Sequence, residues 1–194
     1  MSGRAAQSLL RLEMLLLIAG LVLGGWCATV LIEAAYVNRL PVAAVAEAQT
    51  RTIENWLPPT AAKGTVVARF EAPTVNLSAN VLEGSSDDVL AKAAGHIEGT
   101  AQPGEAGNVG IAGHRDTTFR AVRNLKIGDP ILLKTKKGVF DYRIVSTQIV
   151  TPDAVWVLKP TDRPVFTLVT CYPFNFIGHA PKRYIVKANL VGTR

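Results

Sequence analysis

Between Met14 and Ile32 the chain reads MLLLIAGLVLGGWCATVLI, a stretch without a single charge. As a helix rising about 1.5 Å per residue it covers roughly 28 Å, the depth of a bilayer's hydrocarbon core. The apolar part of a secretory leader is shorter, about 7–15 residues, and ends in a small-x-small cleavage site. Here Trp26 and a β-branched tail follow instead. One retained transmembrane helix over 14–32 is therefore expected. Arg4 and Arg11 precede it, while Glu33, Arg39 and Arg51 come after it. Basic residues near span ends favour the cytoplasmic side. The slight bias puts residues 1–13 in the cytoplasm and the C-terminal domain outside, as a single-pass protein of the cytoplasmic (inner) membrane.

That placement sharpens the meaning of the cysteines. There are two, Cys27 and Cys171. Cys27 lies in the span and cannot bridge to a thiol in an aqueous domain. Cys171 is then an unpaired thiol in an oxidising compartment, where thiols are at risk. The net charge of +6 suits work near anionic lipid or an anionic cell surface. A nucleic-acid partner is not expected, because no recognition motif or aromatic–basic platform accompanies the charge.

After the span, PVAAVAEAQTRTIENWL (41–57) is rich in helix formers, and Pro58 and Pro59 end it. Residues 33–63 thus read as a membrane-proximal helix and linker. From Gly64 onward short β-branched runs alternate with Gly, Pro, Asn and Asp. Strands are expected near 65–71, 74–79, 107–112, 130–135, 139–150, 165–171 and 182–191, with a hairpin turn at KKG, 136–138. Ser86-Asp87-Asp88 opens a short helix that should end at Gly95, and a helical turn is expected at 119–125. Many short strands with turns between them indicate an all-β sandwich or barrel over 64–194.

Three residues at strand ends carry types that chemistry uses: His114 in NVGIAGHRDTTF, Cys171 in TLVTCYPF and Arg183 in APKRYIV. Strand ends and the loops after them are where scaffolds present reactive groups. If the strands flanking 172–182 pair antiparallel, Cys171 lies beside Arg183. A thiolate attacks an amide carbonyl, a fixed cation steadies the oxyanion, and a histidine protonates the departing amine. Residue types alone leave Cys171 between this role and plain packing, since free cysteine is among the most buried residues. No cluster has metal-ligand spacing, so neither a metal nor a cofactor is expected. The stretch LPPTA, 57–61, serves as a helix stop; a sharper reading makes it a pseudo-substrate for the chain's own groove.

At these positions the chain resembles the sortases, and the class D type in particular. TLVTCYP (167–173) is similar to that family's cysteine segment, APKRYIVKA (180–188) to its arginine strand, and GNVGIAGHRDTTF (107–119) to its histidine segment. GHIEGTAQPGEAGN (95–108) is similar to the run leading into the last. Gly110 departs from a bulkier apolar residue, with little effect expected. The resemblance implies an eight-stranded sortase-type β-barrel with short helices, acting as a membrane-anchored cysteine transpeptidase. It implies Cys171 as nucleophile, His114 as acid/base and Arg183 as oxyanion-stabilising or substrate-positioning cation. Thr170 resembles a position that orients substrate, and Tyr172 borders the groove. The implied partners are proteins with an LPxTA- or LPxTG-like sorting signal, cut after Thr, and an amine acceptor in the cell envelope or on another protein. Membrane lipid meets the N-terminal helix. Calcium dependence is left open. Of the other histidines, His96 reads as structural, His179 borders the groove, and Asp116 tunes His114 or makes a turn. A hydrolytic thiol peptidase with the same residues, and a non-catalytic tethered β-domain, are the competing readings.

Overall fold

A computed structural model describes residues 2–39 and 61–194. The helical reading of 41–57, the Pro58–Pro59 stop and the LPPTA stretch up to Thr60 lie outside the described residues. Helix α1 runs Ser2–Arg39 without a break, seven residues past the expected span end at Ile32. Its segment Arg11–Tyr36 is long and apolar enough to cross a membrane.

From Val66 the chain builds eight strands: β1 (Val66–Ala72), β2 (Leu77–Glu83), β3 (Ala94–His96), β4 (Asn108–Gly113), β5 (Pro130–Thr135), β6 (Gly138–Val150), β7 (Val165–Tyr172) and β8 (Lys182–Thr193). They close a barrel in the order β1-β2-β3-β4-β7-β8-β6-β5. Closure removes the exposed strand edges that an open sheet would present. Two pairings are parallel, β2 with β3 and β4 with β7. The β4–β7 pair matters most, because parallel neighbours end at the same side of the barrel.

Strand β1 shows how sequence dictates the sheet. Val66, Ala68, Phe70 and Ala72 are buried while Val67, Arg69 and Glu71 are half-exposed, the period of two that places alternate side chains on opposite faces. Phe70 stacks on Phe166 at 5.7 Å and meets Phe119 edge-on at 5.7 Å, with Tyr142 beside Phe166 at 5.8 Å. Each such fully buried side chain contributes roughly 1.5–3 kcal/mol of transfer free energy. The β5–β6 hairpin turns at Lys136-Lys137, with Thr135 opposite Gly138. Gly138 holds φ +135, where a side chain would also press to 3.0 Å from the Arg194 carbonyl oxygen; glycine alone fits there.

Two sequence expectations need correction. The helix starting at Asp87 stops at Leu90, and Ala94–His96 is a strand rather than a helix end. This is helix α2, only Asp87–Leu90, and β3 is the eighth strand that the pattern of short runs lacks. Three residues are too few to show a period, and β3 exists because β2 and β4 hydrogen-bond to its two sides. The strand expected over 74–79 begins later. Pro73–Val75 forms a 3-10 turn ending in Asn76 at φ +50, and β2 comes next. Proline favours the first turn of a helix, and asparagine tolerates the left-handed region.

The last turns of α1 rest on the barrel. Asn38 accepts from the Asn80 backbone N–H at 3.0 Å and donates to the Lys92 carbonyl at 3.1 Å, while Arg69 donates to the Asn38 carbonyl at 3.0 Å. Lys92 pairs with Glu33 at 2.8 Å.

Tyr142 gives the barrel interior a test. It is fully buried, and its hydroxyl has no hydrogen-bond partner among the described residues. Burial pushes its pKa up to about 12. The neutral phenol is the folded form, so stability held below the ordinary value near 10 drains as pH rises toward 12. Tyr142→Phe removes an unsatisfied polar atom and is expected to gain about 1 kcal/mol at neutral pH. Denaturant unfolding of both proteins from pH 7 to 12 should show that gain widening above pH 10.

Candidate active site

Strand pairing alone gathers the three candidate residues. β7 and β8 run antiparallel with Cys171 opposite Arg183, as the loop between them foretells. β4 and β7 run parallel with Gly113 opposite Thr170, so His114 leaves β4 beside Cys171. All three line one cleft of about 280 Å³, with Arg115, Asp116, Gly178, His179 and Ala180. Phe166 and Leu168 of β7 point into the core; Cys171, of opposite parity, faces out, and its side chain is half-buried. Cys171 thus stands at the lip of the barrel, in a cleft.

The histidine is held from its C-terminal side. Phe119 donates its backbone N–H to the His114 carbonyl at 2.8 Å and sinks its ring into the core. The ring packs so close that a Cβ on Gly113 would stand 2.5 Å from it. Only glycine at 113 lets β4 end where the ring passes, which is the local reason for the Gly–His pair. His114 also faces a second cleft, about 650 Å³, formed between Ala34, Ala35 and Asn38 of α1 and Asn76, Ser78, Lys92 and Thr117.

Arg183 is seated by carbonyls. Its Nη1 donates to Ala180 O at 3.1 Å and to Lys182 O at 3.0 Å. Thr170 is buried, and its hydroxyl donates to the Gly113 carbonyl at 2.7 Å. It stitches the ends of β4 and β7 together next to His114 and Cys171. Tyr172 is half-buried in an aromatic group, 6.3 Å from Tyr184 and 5.9 Å from Phe174.

The other histidines separate clearly. His96 is fully buried: Nδ1 lies 3.0 Å from Glu83 Oε2, and Nε2 lies 2.8 Å from the Ala101 carbonyl. Both ring nitrogens are engaged by fold-forming groups, so His96 is structural. His179 lines the same cleft as Cys171 but is exposed, on the loop after β7.

Two groups escape sequence reasoning. Asn108, buried at the start of β4, accepts from Thr167 at 2.7 Å and donates to the carbonyls of Val157 and Lys159 at 3.0 and 3.1 Å. It ties the β6–β7 connection to the strands beneath it. The signal was a lone amide opening an apolar strand, and buried polar residues are the informative ones. Asn108→Ala strands the Thr167 hydroxyl and withdraws a donor from two carbonyls. A loss of about 3 kcal/mol is expected, a fall of roughly 6–12 °C in Tm for a domain this size; thermal unfolding reads it. At Gly110, the departure noted in the sequence, the structure shows what takes up the room. A Cβ there would meet Leu158 at 2.9 Å and Thr100 at 3.0 Å, so Leu158 of the same connection fills the space a larger residue would take.

Known proteins share this barrel. Residues 70–191 match the sortase domain. Sortase D of Bacillus subtilis is 39% identical over 118 residues, covering 60% of this chain and 60% of its own. Sortase A of Bacillus anthracis is 31% identical over 136 residues, covering 68% of this chain and 63% of its own. The match therefore spans somewhat less than two thirds of either relative. A solved Clostridium perfringens sortase D5 superposes with a TM-score of 0.62 at 34% identity, over 76% of this chain and 89% of that one. A closed eight-stranded barrel, a cysteine–arginine register pair beside a histidine strand end, and a domain match over most of the barrel agree: the chain belongs to the sortase family, class D.

Proposed function

We propose that this chain is a membrane-anchored cysteine transpeptidase, carried by one observation: Cys171, His114 and Arg183 share a single cleft. In this reading Cys171 sulfur attacks the threonine carbonyl of an LPxTA- or LPxTG-like sorting signal. The C–N bond breaks, and His114 gives its proton to the departing amine, leaving a threonyl thioester on Cys171. An acceptor amine then attacks the thioester carbonyl. It loses a proton to His114, the C–S bond breaks, and a new amide forms as the Cys171 thiolate is released. Arg183, opposite Cys171, sets positive charge where the carbonyl oxygen becomes an oxyanion in both steps.

Thr170 serves by positioning, since its hydroxyl already holds the Gly113 carbonyl. Tyr172 does not line the cleft itself; its ring packs on Phe174 and Tyr184, and its part in the groove is that of the residue next to the nucleophile. Helix α1 spans the cytoplasmic membrane with its N-terminus inside, and the barrel works on the outer side. The acceptor is an amine of the cell envelope or of another protein.

The test is mass spectrometry on the full chain in detergent micelles, with LPxTA and LPxTG peptides, with and without a primary amine. A thioester adduct on Cys171, a product cut after threonine and a new amide only when amine is present are expected. A free threonine carboxylate regardless of amine would make the protein a hydrolase. No adduct and no cleavage would leave a non-catalytic domain.

A further inference from the structure

We infer that Arg115 is a positioning residue that sets where the Arg183 guanidinium stands, acting through the β7–β8 loop. The inference rests on the reading above, in which Arg183 stabilises charge at Cys171. Arg115 succeeds His114 on one wall of the cleft. Its Nη2 reaches the opposite wall and donates to the Phe176 carbonyl at 2.6 Å and the Gly178 carbonyl at 3.0 Å. Those two carbonyls flank Ile177, which is 97% exposed.

The grip is informative because, among the described residues, the loop 173–181 is otherwise anchored near its start, where Phe174 packs against Tyr172 and Tyr184. Its tip is solvent-facing, so burial does not fix it. A hydrogen bond from Arg123 to Asn175 at 3.3 Å and one backbone bond, Phe176 to Pro173 at 3.3 Å, lie on the β7 side. Charge-assisted bonds such as those from Arg115 are about twice as strong as neutral ones. On the β8 side the same loop supplies the Ala180 carbonyl, one of the two oxygens that seat Arg183. Ala180 stands two residues beyond Gly178. A continuous path thus runs from Arg115 through Gly178 and Ala180 to the guanidinium of Arg183, the register partner of Cys171. Loosening the first link frees the last, while leaving Arg183, its charge and its strand in place.

The experiment reads the charge at Cys171 directly. Full-length protein in micelles is alkylated with iodoacetate, which is anionic, and with iodoacetamide, which is neutral, and modification at Cys171 is followed by mass spectrometry. Wild type, Arg115→Ala, Arg183→Ala and the double variant are compared. Arg183 should favour the anionic reagent by about fivefold, a single charge acting over a few ångströms. Arg115→Ala should lose most of that preference, and adding it to Arg183→Ala should change nothing further. A wild-type preference in Arg115→Ala, no effect of Arg183→Ala, or additive losses in the double variant would overturn the inference. Arg115→Gln is run in parallel, and must show the same coupling, in case alanine disturbs folding. Peptide turnover is measured separately. Wild type inactive on every sorting peptide would count against the transpeptidase reading, whereas the alkylation ratios decide the role of Arg115 either way.

Discussion

Cys171→Ala is expected to lower kcat/KM for sorting-signal cleavage by at least ~10⁴-fold, the scale on which nucleophile removal acts in covalent catalysis. Cys171 faces outward near the end of β7, so its truncation leaves no core cavity. The large cavity penalties of buried sites do not apply, and Tm should move by no more than about 2 °C. A large kinetic loss with an intact fold is what distinguishes a nucleophile from filler. Cys171→Ser, with a far less acidic hydroxyl, should also fail. Cys27 is not a rival, because it lies in the long apolar segment of α1 and lines neither cleft that His114 faces. Steady-state cleavage beside a thermal melt of the same samples checks both halves. Unchanged turnover in Cys171→Ala would remove the thioester step and with it the transpeptidase.

How much of this was legible beforehand depends on the range of the interaction responsible. The pairing of Cys171 with Arg183 was legible as a conditional: if the strands flanking 172–182 pair antiparallel, the last residue of one lies beside the first residues of the other, and the observed register has them opposite. The arrival of His114 was not legible. It depends on β4 lying parallel to β7, a pairing of residues more than fifty apart, and nothing local encodes it. The likeness of three separate segments to one family supplied that contact where periodicity was silent. Strand β3 was missed for a related reason: with three residues it is defined by its neighbours rather than by its own pattern. Asn108 and Arg115 were visible as residues but not as roles. Their partners are backbone carbonyls of distant loops, and a carbonyl has no sequence signature. Thr170 was legible only as a neighbour of the nucleophile, and the structure supplies its partner, Gly113.

His114→Ala is expected to lower kcat/KM with an amide donor by about 10³-fold, within the range that general acid–base catalysis supplies. The size of the loss should depend on the leaving group, and that dependence carries the assignment. An amine departs poorly unless it is protonated, so an amide substrate exposes the full loss. A thioester of the same peptide releases a thiolate that needs no proton, and with it acylation by His114→Ala should recover to within roughly tenfold of wild type. If both donors suffer equally, His114 acts on the sulfur or on substrate placement rather than on the leaving group. The two remaining histidines serve as controls with opposite signatures. His179→Ala, exposed on the loop, should stay within about threefold on both donors. His96→Ala leaves buried Glu83 with only the longer bond from Gln102 at 3.3 Å, so its loss should register in Tm, by several degrees, and only indirectly in rate. One imidazole whose removal is rescued by a better leaving group, and another whose removal is not, would separate the residue that moves the proton from the one that holds the barrel.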